Sequence, residues 1–239
     1  MKKFLVLVVC FTISLMGQAN ADIITSRANL DTLLASSSGW SAATETFTLL
    51  DLGSSASWFG GTALNSTTVI GSYGPGMVLP GIEFHSDAFN IVRAGETPLF
   101  LSSNALGGQL PLNTIPQSGI PWLEINFLNY TNAFGFDWRT NNPWGWEHAT
   151  IKVYHDTTLL YDSGEITSTL SGFFGFTDVG NVNRVVISST NVDGWHIASP
   201  LVDNITFGVV EPTQTPEPAT MLLLGLGLMG LAGVRRFKK

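Results

Sequence analysis

The chain has 239 residues, with 18 acidic against 11 basic side chains, a formal charge of −7, 44% hydrophobic residues and one cysteine. A single cysteine excludes an intramolecular disulfide framework, and an acid-rich surface repels nucleic acid and anionic lipid. The length suits one domain with a sizeable core between terminal signals.

The N-terminus reads as a secretory signal peptide over residues 1–21. Lys2 and Lys3 form the basic region, Phe4 to Met16 the apolar stretch, and Ala19-Asn20-Ala21 the small-residue cleavage site. The mature chain is expected to begin at Asp22. Cys10 leaves with the signal. It is no lipoprotein cysteine, because Val9 stands where a small residue is needed and position 10 is too early. Between the two terminal signals the basic residues are Arg27, Arg93, Arg139, Lys152 and Arg184, against 17 of the 18 acids. The exported body therefore carries about −12, a charge compatible with neutral glycans or divalent cations and not with nucleic acid.

In chain order, the first element is a helix over Arg27 to Ala35, with Ser26 as N-cap and Leu30, Leu33 and Leu34 on one face. Short runs of period two follow, separated by Gly, Pro, Asn and Ser clusters. Glu45 to Leu49 alternates. Ile82 and Phe84 follow a Pro-Gly turn. Leu123, Ile125 and Phe127 share a face, with Trp122, Glu124 and Asn126 opposite. Phe134, Phe136 and Trp138 mark the next run and are expected in the core with Phe174 and Phe176. Ala149, Ile151 and Val153 alternate with Thr150, Lys152 and Tyr154, and His155 to Thr158 makes a turn into Leu159 to Tyr161. Phe173 to Phe176 forms one further strand, Val185 and Ile187 lie in another, and Ile205 and Phe207 close the domain. About ten short strands with regular turn signals predict an all-β antiparallel sandwich over 22–210. Residues 211–215 read as a linker.

The tail is Pro216-Glu217-Pro218, an apolar run to Val234, and the basic stop Arg235, Arg236, Lys238 and Lys239. A transmembrane helix over 219–234 spans roughly 24 Å at 1.5 Å per residue, short against a hydrocarbon core of about 30 Å. Gly225, Gly227 and Gly230 weaken it as a permanent anchor, and the basic cluster keeps the C-terminus cytoplasmic. The two prolines hold an extended, accessible segment ahead of it. Residues 216–239 resemble the PEP-CTERM sorting signal of Gram-negative bacteria that make exopolysaccharide. The resemblance implies recognition by an exosortase-type membrane protease, an inner-membrane intermediate, and delivery to the cell surface or the extracellular, biofilm-type matrix.

The order Ala133 to Asp137, Val153-Tyr154, Phe173 to Phe176, Val185 to Ile187 and Leu201 to Gly208 is similar to jelly-roll domains carried by PEP-CTERM proteins, which resemble carbohydrate-binding modules. That likeness implies fold before ligand. It also implies a structural Ca²⁺ between first-strand and last-strand carboxylates. Glu45 shares parity with Phe47 and Leu49, and Asp203 with Ile205 and Phe207, so both carboxylates are expected on the core side. Inward carboxylates are costly unless paired or coordinated, and Asn204 or Asp51 could add oxygens to a site that needs six to eight. The plainer reading is that Asp203 caps a turn.

Trp144 and Trp146 stand in a Pro-broken loop after Arg139 and Asn141, and Trp195 stands in a second loop. Exposed tryptophans stack on sugar rings while neighbouring Arg and Asn bond hydroxyls. The row Trp146, His148, Thr150, Lys152 and Tyr154 would share the solvent face of one strand and could line a glycan groove. The plainer reading has these tryptophans covering the ends of the sandwich. No nucleophile elbow, zinc-protease helix or phosphate loop is present. Glu124, Asp137 and Glu147 could supply a glycosidase pair only if two of them lie close enough. The expectation is a non-enzymatic, glycan-binding surface or matrix protein, with a structural or adhesive surface protein as the alternative and a glycan hydrolase as the third reading.

Overall fold

A computed structural model describes residues 22–35, 43–47, 49, 57–70, 74–92, 105–109, 120–140, 147–167, 171–191 and 200–208. Ala21–Glu211 forms one compact unit. The elements are β1 (Asp22–Ile24), α1 (Arg27–Ala35), β2 (Ala43–Glu45), β3 (Ser57–Gly60), β4 (Leu64–Asn65), β5 (Ile82–His85), β6 (Ala88–Val92), β7 (Ala105–Gln109), β8 (Trp122–Thr140), β9 (Glu147–His155), β10 (Thr158–Asp162), β11 (Ser171–Asn191) and β12 (Pro200–Gly208). All twelve strands belong to one antiparallel sheet, whose main path is β10-β9-β11-β8-β12-β7-β6-β3.

The sheet makes a sandwich because its two longest strands fold over together. The register of β11 on β8 breaks between Thr177 and Val182 and again before Arg184. Such bulges bend a strand and increase its twist. The front half of β8 then pairs with β5 and with the back half of β11, which also pairs with β9. The back half of β8 pairs with β12 and with the front half of β11, which also pairs with β1. The first group, with β4 and β10, is layer one; the second, with β2, β7, β6 and β3, is layer two.

The period-two pattern places the core between the layers. Leu123, Ile125, Phe127, Ile151, Val153, Val185 and Ile187 face it from layer one, and Phe134, Phe136, Phe174, Phe176, Val202 and Ile205 from layer two. Rings meet across the gap: Tyr161 of β10 lies 5.7 Å from Phe174 and 6.0 Å from Phe176. The expected core aromatics, Trp138 included, are buried. Helix α1 starts where expected, with Ser26 Oγ accepting from Asn29 N at 3.3 Å and Ser26 O from Leu30 N at 3.2 Å. It packs Leu30 and Leu34 on the outer side of layer two, against Ala133, Phe173 and Ile24. Gly135 lets it approach, since a Cβ there would lie 2.8 Å from Leu30 and 2.5 Å from Phe173.

Two expected strand features are corrected. Glu45 to Leu49 is not one alternating strand, because β2 ends at Glu45 and Phe47 takes a left-handed φ of 52°. Asp203 does not share the side of Ile205. The register of β12 on β8 shifts between Asp203 and Thr206, and Asn204 sits in the left-handed region at φ 49°. The extra residue resets the alternation.

At one corner the layers nearly touch. Ser86 Oγ donates to Trp122 O at 2.8 Å, and a Cβ on Gly108 would lie 1.9 Å from that same carbonyl oxygen. Backbone cannot retreat as a flexible side chain can. Gly108→Ala is expected to cost about 1–3 kcal/mol as an overpacked contact, read as a lower melting temperature.

Candidate functional site

The outer side of layer one is a built polar surface, and α1 lies on the other layer. Its residues follow from antiparallel register, in which directly opposed side chains share a face. One row across the sheet is Tyr154 (β9), Arg184 (β11), Asn126 (β8), Glu83 (β5) and Asn65 (β4). The next is Asp162 (β10), Lys152, Val186, Glu124 and His85. A third holds Thr150, Ser188 and Trp122.

Hydrogen bonds and ion pairs fix these groups. The Arg184 guanidinium lies 4.1 Å from the Tyr154 ring centroid and its Nη1 is 3.5 Å from Glu124 Oε2. Cation–π stacking of this kind orders the guanidinium over the ring. Asn126 Nδ2 donates to Glu124 Oε1 at 3.0 Å, and Asn65 Nδ2 to Glu83 Oε2 at 2.7 Å. His85 Nε2 pairs with Glu83 Oε1 at 2.5 Å, and Lys152 Nζ with Asp162 Oδ2 at 3.4 Å. Trp122 Nε1 donates to Asp87 Oδ2 at 3.3 Å. His148 Nδ1 pairs with Glu165 Oε1 at the margin. Pre-ordered donors and acceptors on a sheet face suit a hydroxyl-rich ligand, because little side-chain entropy is lost on binding.

The sequence-derived candidates divide. His148, Thr150, Lys152 and Tyr154 do form one half-buried row on the outer side of β9. Trp144, Trp146, Trp195 and Asn141 lie outside the described residues, as do Pro216, Glu217, Pro218 and the basic residues 235, 236, 238 and 239. The segment 141–146 joins β8 to β9, and 192–199 joins β11 to β12. Arg139 lies on β8 opposite Leu201 and Ser171, in layer two and away from the β9 row. Arg184 and Trp122 belong to no motif that marks them in the sequence as site residues. The one signal for Arg184 was its place among only five basic residues of the body.

The carboxylates proposed for Ca²⁺ are not brought together. Glu45 pairs with Ile205, on the core side. Its Oε1 accepts from Phe47 N at 2.6 Å and its Oε2 from Leu79 N at 2.7 Å. Burial pushes its carboxyl pKa up, against the pull of those backbone bonds. Asp203 instead pairs with Asp137, on the side that carries α1. Its Oδ1 accepts from Asn204 N at 2.7 Å. Asp137 takes Asn204 Nδ2 at 2.9 Å and Arg27 Nη2 at 3.2 Å, while Arg27 also donates to Asn204 O at 2.7 Å. A guanidinium stands where a cation would be wanted, so these residues do not fit a shared Ca²⁺ ion. Among the described residues no three His, Cys, Asp or Glu side chains converge on a metal position, and no helix is long and apolar enough to cross a membrane.

The model of the PEP-CTERM protein-sorting motif matches residues 214–236. That motif implies export and a membrane-anchored sorting intermediate. No curated protein matches the chain significantly in sequence. Among solved structures, the carbohydrate-binding module CBM29_1 from Piromyces equi is 9% identical with a TM-score of 0.36, covering 74% of this chain and 95% of that one. A variant of the CBM29-2 module, solved to probe ligand recognition, is 10% identical with a TM-score of 0.26, covering 86% and 95%.

Proposed function

We propose that this is an exported, non-enzymatic glycan-binding protein of the cell surface or exopolysaccharide matrix, and that it binds through the outer side of layer one. The observation that carries the reading is the row Tyr154–Arg184–Asn126–Glu83–Asn65, a line of ordered polar groups across five strands. The sorting motif supplies the route. Both described ends of the body leave from layer two, in one row of paired residues: Asp22, Thr177, Ala133 and Gly208. Neither of these two described end residues lies in the proposed binding layer. The tail is recognised by an exosortase-type protease, and the body meets polysaccharide after delivery.

The test is a binding titration of the full-length chain in detergent micelles against immobilised polysaccharides, with and without Ca²⁺. Trp122→Ala and Arg184→Ala are expected to weaken binding about tenfold or more, the loss of one or two hydrogen bonds to charged or aromatic anchors. Trp144→Ala and Trp146→Ala report whether the β8–β9 loop extends the same surface. Saturable binding lost in the sheet variants supports the proposal. No affinity for any polymer would favour a structural or adhesive surface protein, and release of reducing ends would make the chain a hydrolase.

A further inference from the structure

Resting on that reading, we infer that Glu124 is a specificity-determining residue, which reserves the sheet face for uncharged polysaccharide and excludes uronate-bearing chains. Arg184 would be the natural anchor for a carboxylate, since a guanidinium recognises carboxylates in bidentate fashion. Here it is already engaged. Glu124 lies 3.5 Å from it, and the Tyr154 ring takes its flat face at 4.1 Å. The other cation of the face, Lys152, is held 3.4 Å from Asp162. The carboxylates that remain include Glu83, which is bonded to Asn65 and His85. The described surface thus presents carboxylates in excess of fixed cations, and each fixed cation has an internal counter-charge.

A neutral chain meets this arrangement well. Its hydroxyls donate to the carboxylate oxygens and accept from amide and guanidinium N–H groups without displacing an ion pair. A polyuronate must break the Arg184–Glu124 pair to reach the guanidinium and leave Glu124 facing a second carboxylate. Like-charge juxtaposition of this kind is how binding surfaces reject wrong partners. The neighbouring amide of Asn126 already bonds Glu124 at 3.0 Å, so a Gln at this position keeps the shape and an acceptor while releasing Arg184.

The experiment compares dextran and polygalacturonate, each at about 50 and 500 mM NaCl, with the full-length chain in micelles and with Glu124→Gln. The wild type is expected to bind dextran with little salt dependence and polygalacturonate about tenfold more weakly or less well still. Glu124→Gln is expected to narrow that ratio about tenfold by a gain in polygalacturonate binding, and that gain is expected to vanish at high salt. Asp162→Asn, which frees Lys152, should give a smaller gain of the same sign. The inference is overturned if the wild type prefers polygalacturonate, or if Glu124→Gln folds with an unchanged melting temperature and leaves the ratio where it was. Binding of polygalacturonate by the wild type as tightly as dextran, or more tightly, defeats this inference and leaves the glycan reading standing. Failure of both polymers and of every other glycan defeats both.

Discussion

Phe134→Ala is expected to remove about 3–5 kcal/mol of stability, the range for deleting a fully buried aromatic side chain. Phe134 is 0% exposed. Its ring centroid lies 5.3 Å from Phe127, 6.1 Å from Phe136, 6.1 Å from Phe174 and 5.9 Å from Phe176. Those partners come from both halves of β8 and from the front half of β11, so the residue stands where the sheet folds over. Truncation would lose the burial of the ring, its edge and offset contacts, and leave a cavity that rigid neighbouring rings fill poorly. Denaturant unfolding should show a lower midpoint with an unchanged slope, the signature of lost stability without a change in the surface exposed. Phe134→Leu should lose less, because much of the volume is kept. A midpoint unmoved in the alanine variant would mean that the layers are not held together by this cluster.

The expectation of a sandwich rested on period-two runs, and that signal holds wherever a strand stays straight. The β9 row from His148 to Tyr154 is the clearest case, with Ile151 and Val153 buried on its other side. The signal fails at bulges. Counting in twos from Ile205 puts Asp203 on the core side, and the left-handed Asn204 between them turns it to the opposite side. Phe47 broke the run from Glu45 in the same way. Strands β8 and β11 each read as two shorter strands, because polar residues near their bends hide the continuity of the backbone. Strand β7 carries Gly107 and Gly108 in place of alternating side chains, and no period can be seen there. The face itself was half legible. Period two puts Trp122, Glu124 and Asn126 together opposite the apolar residues of β8. Their meeting with Tyr154 depends on β11 lying between β8 and β9, and strand order is a non-local property that spacing along the chain does not encode.

Glu45→Ala should cost about 3 kcal/mol, because it removes the carboxylate that accepts from backbone N–H groups, Phe47 N and Leu79 N among them, at about 1–3 kcal/mol for each such bond lost at a buried site. The residue is 5% exposed. Its carboxyl ties Phe47 N and Leu79 N, two segments that no strand pairing connects among the described residues, and it holds Phe47 in a backbone conformation disfavoured for a bulky residue. Glu45→Gln keeps one acceptor oxygen and turns an NH₂ group toward the other N–H, so it should lose somewhat less and remove the titration altogether. The pH dependence has a definite sign. Burial holds the folded pKa above the ordinary 4.5, outweighing the backbone bonds to Leu79, Phe47 and Thr46. The folded state then retains a proton that the unfolded chain has released, so this group's contribution is full below about pH 4.5 and declines as pH rises through the folded pKa. The stability gap between the wild type and Glu45→Gln should accordingly be widest in mild acid and narrow toward neutrality, measured by parallel denaturant titrations across that range. A gap that widened with pH would show instead that the ionised carboxylate is the favoured form, with the backbone N–H bonds outweighing desolvation.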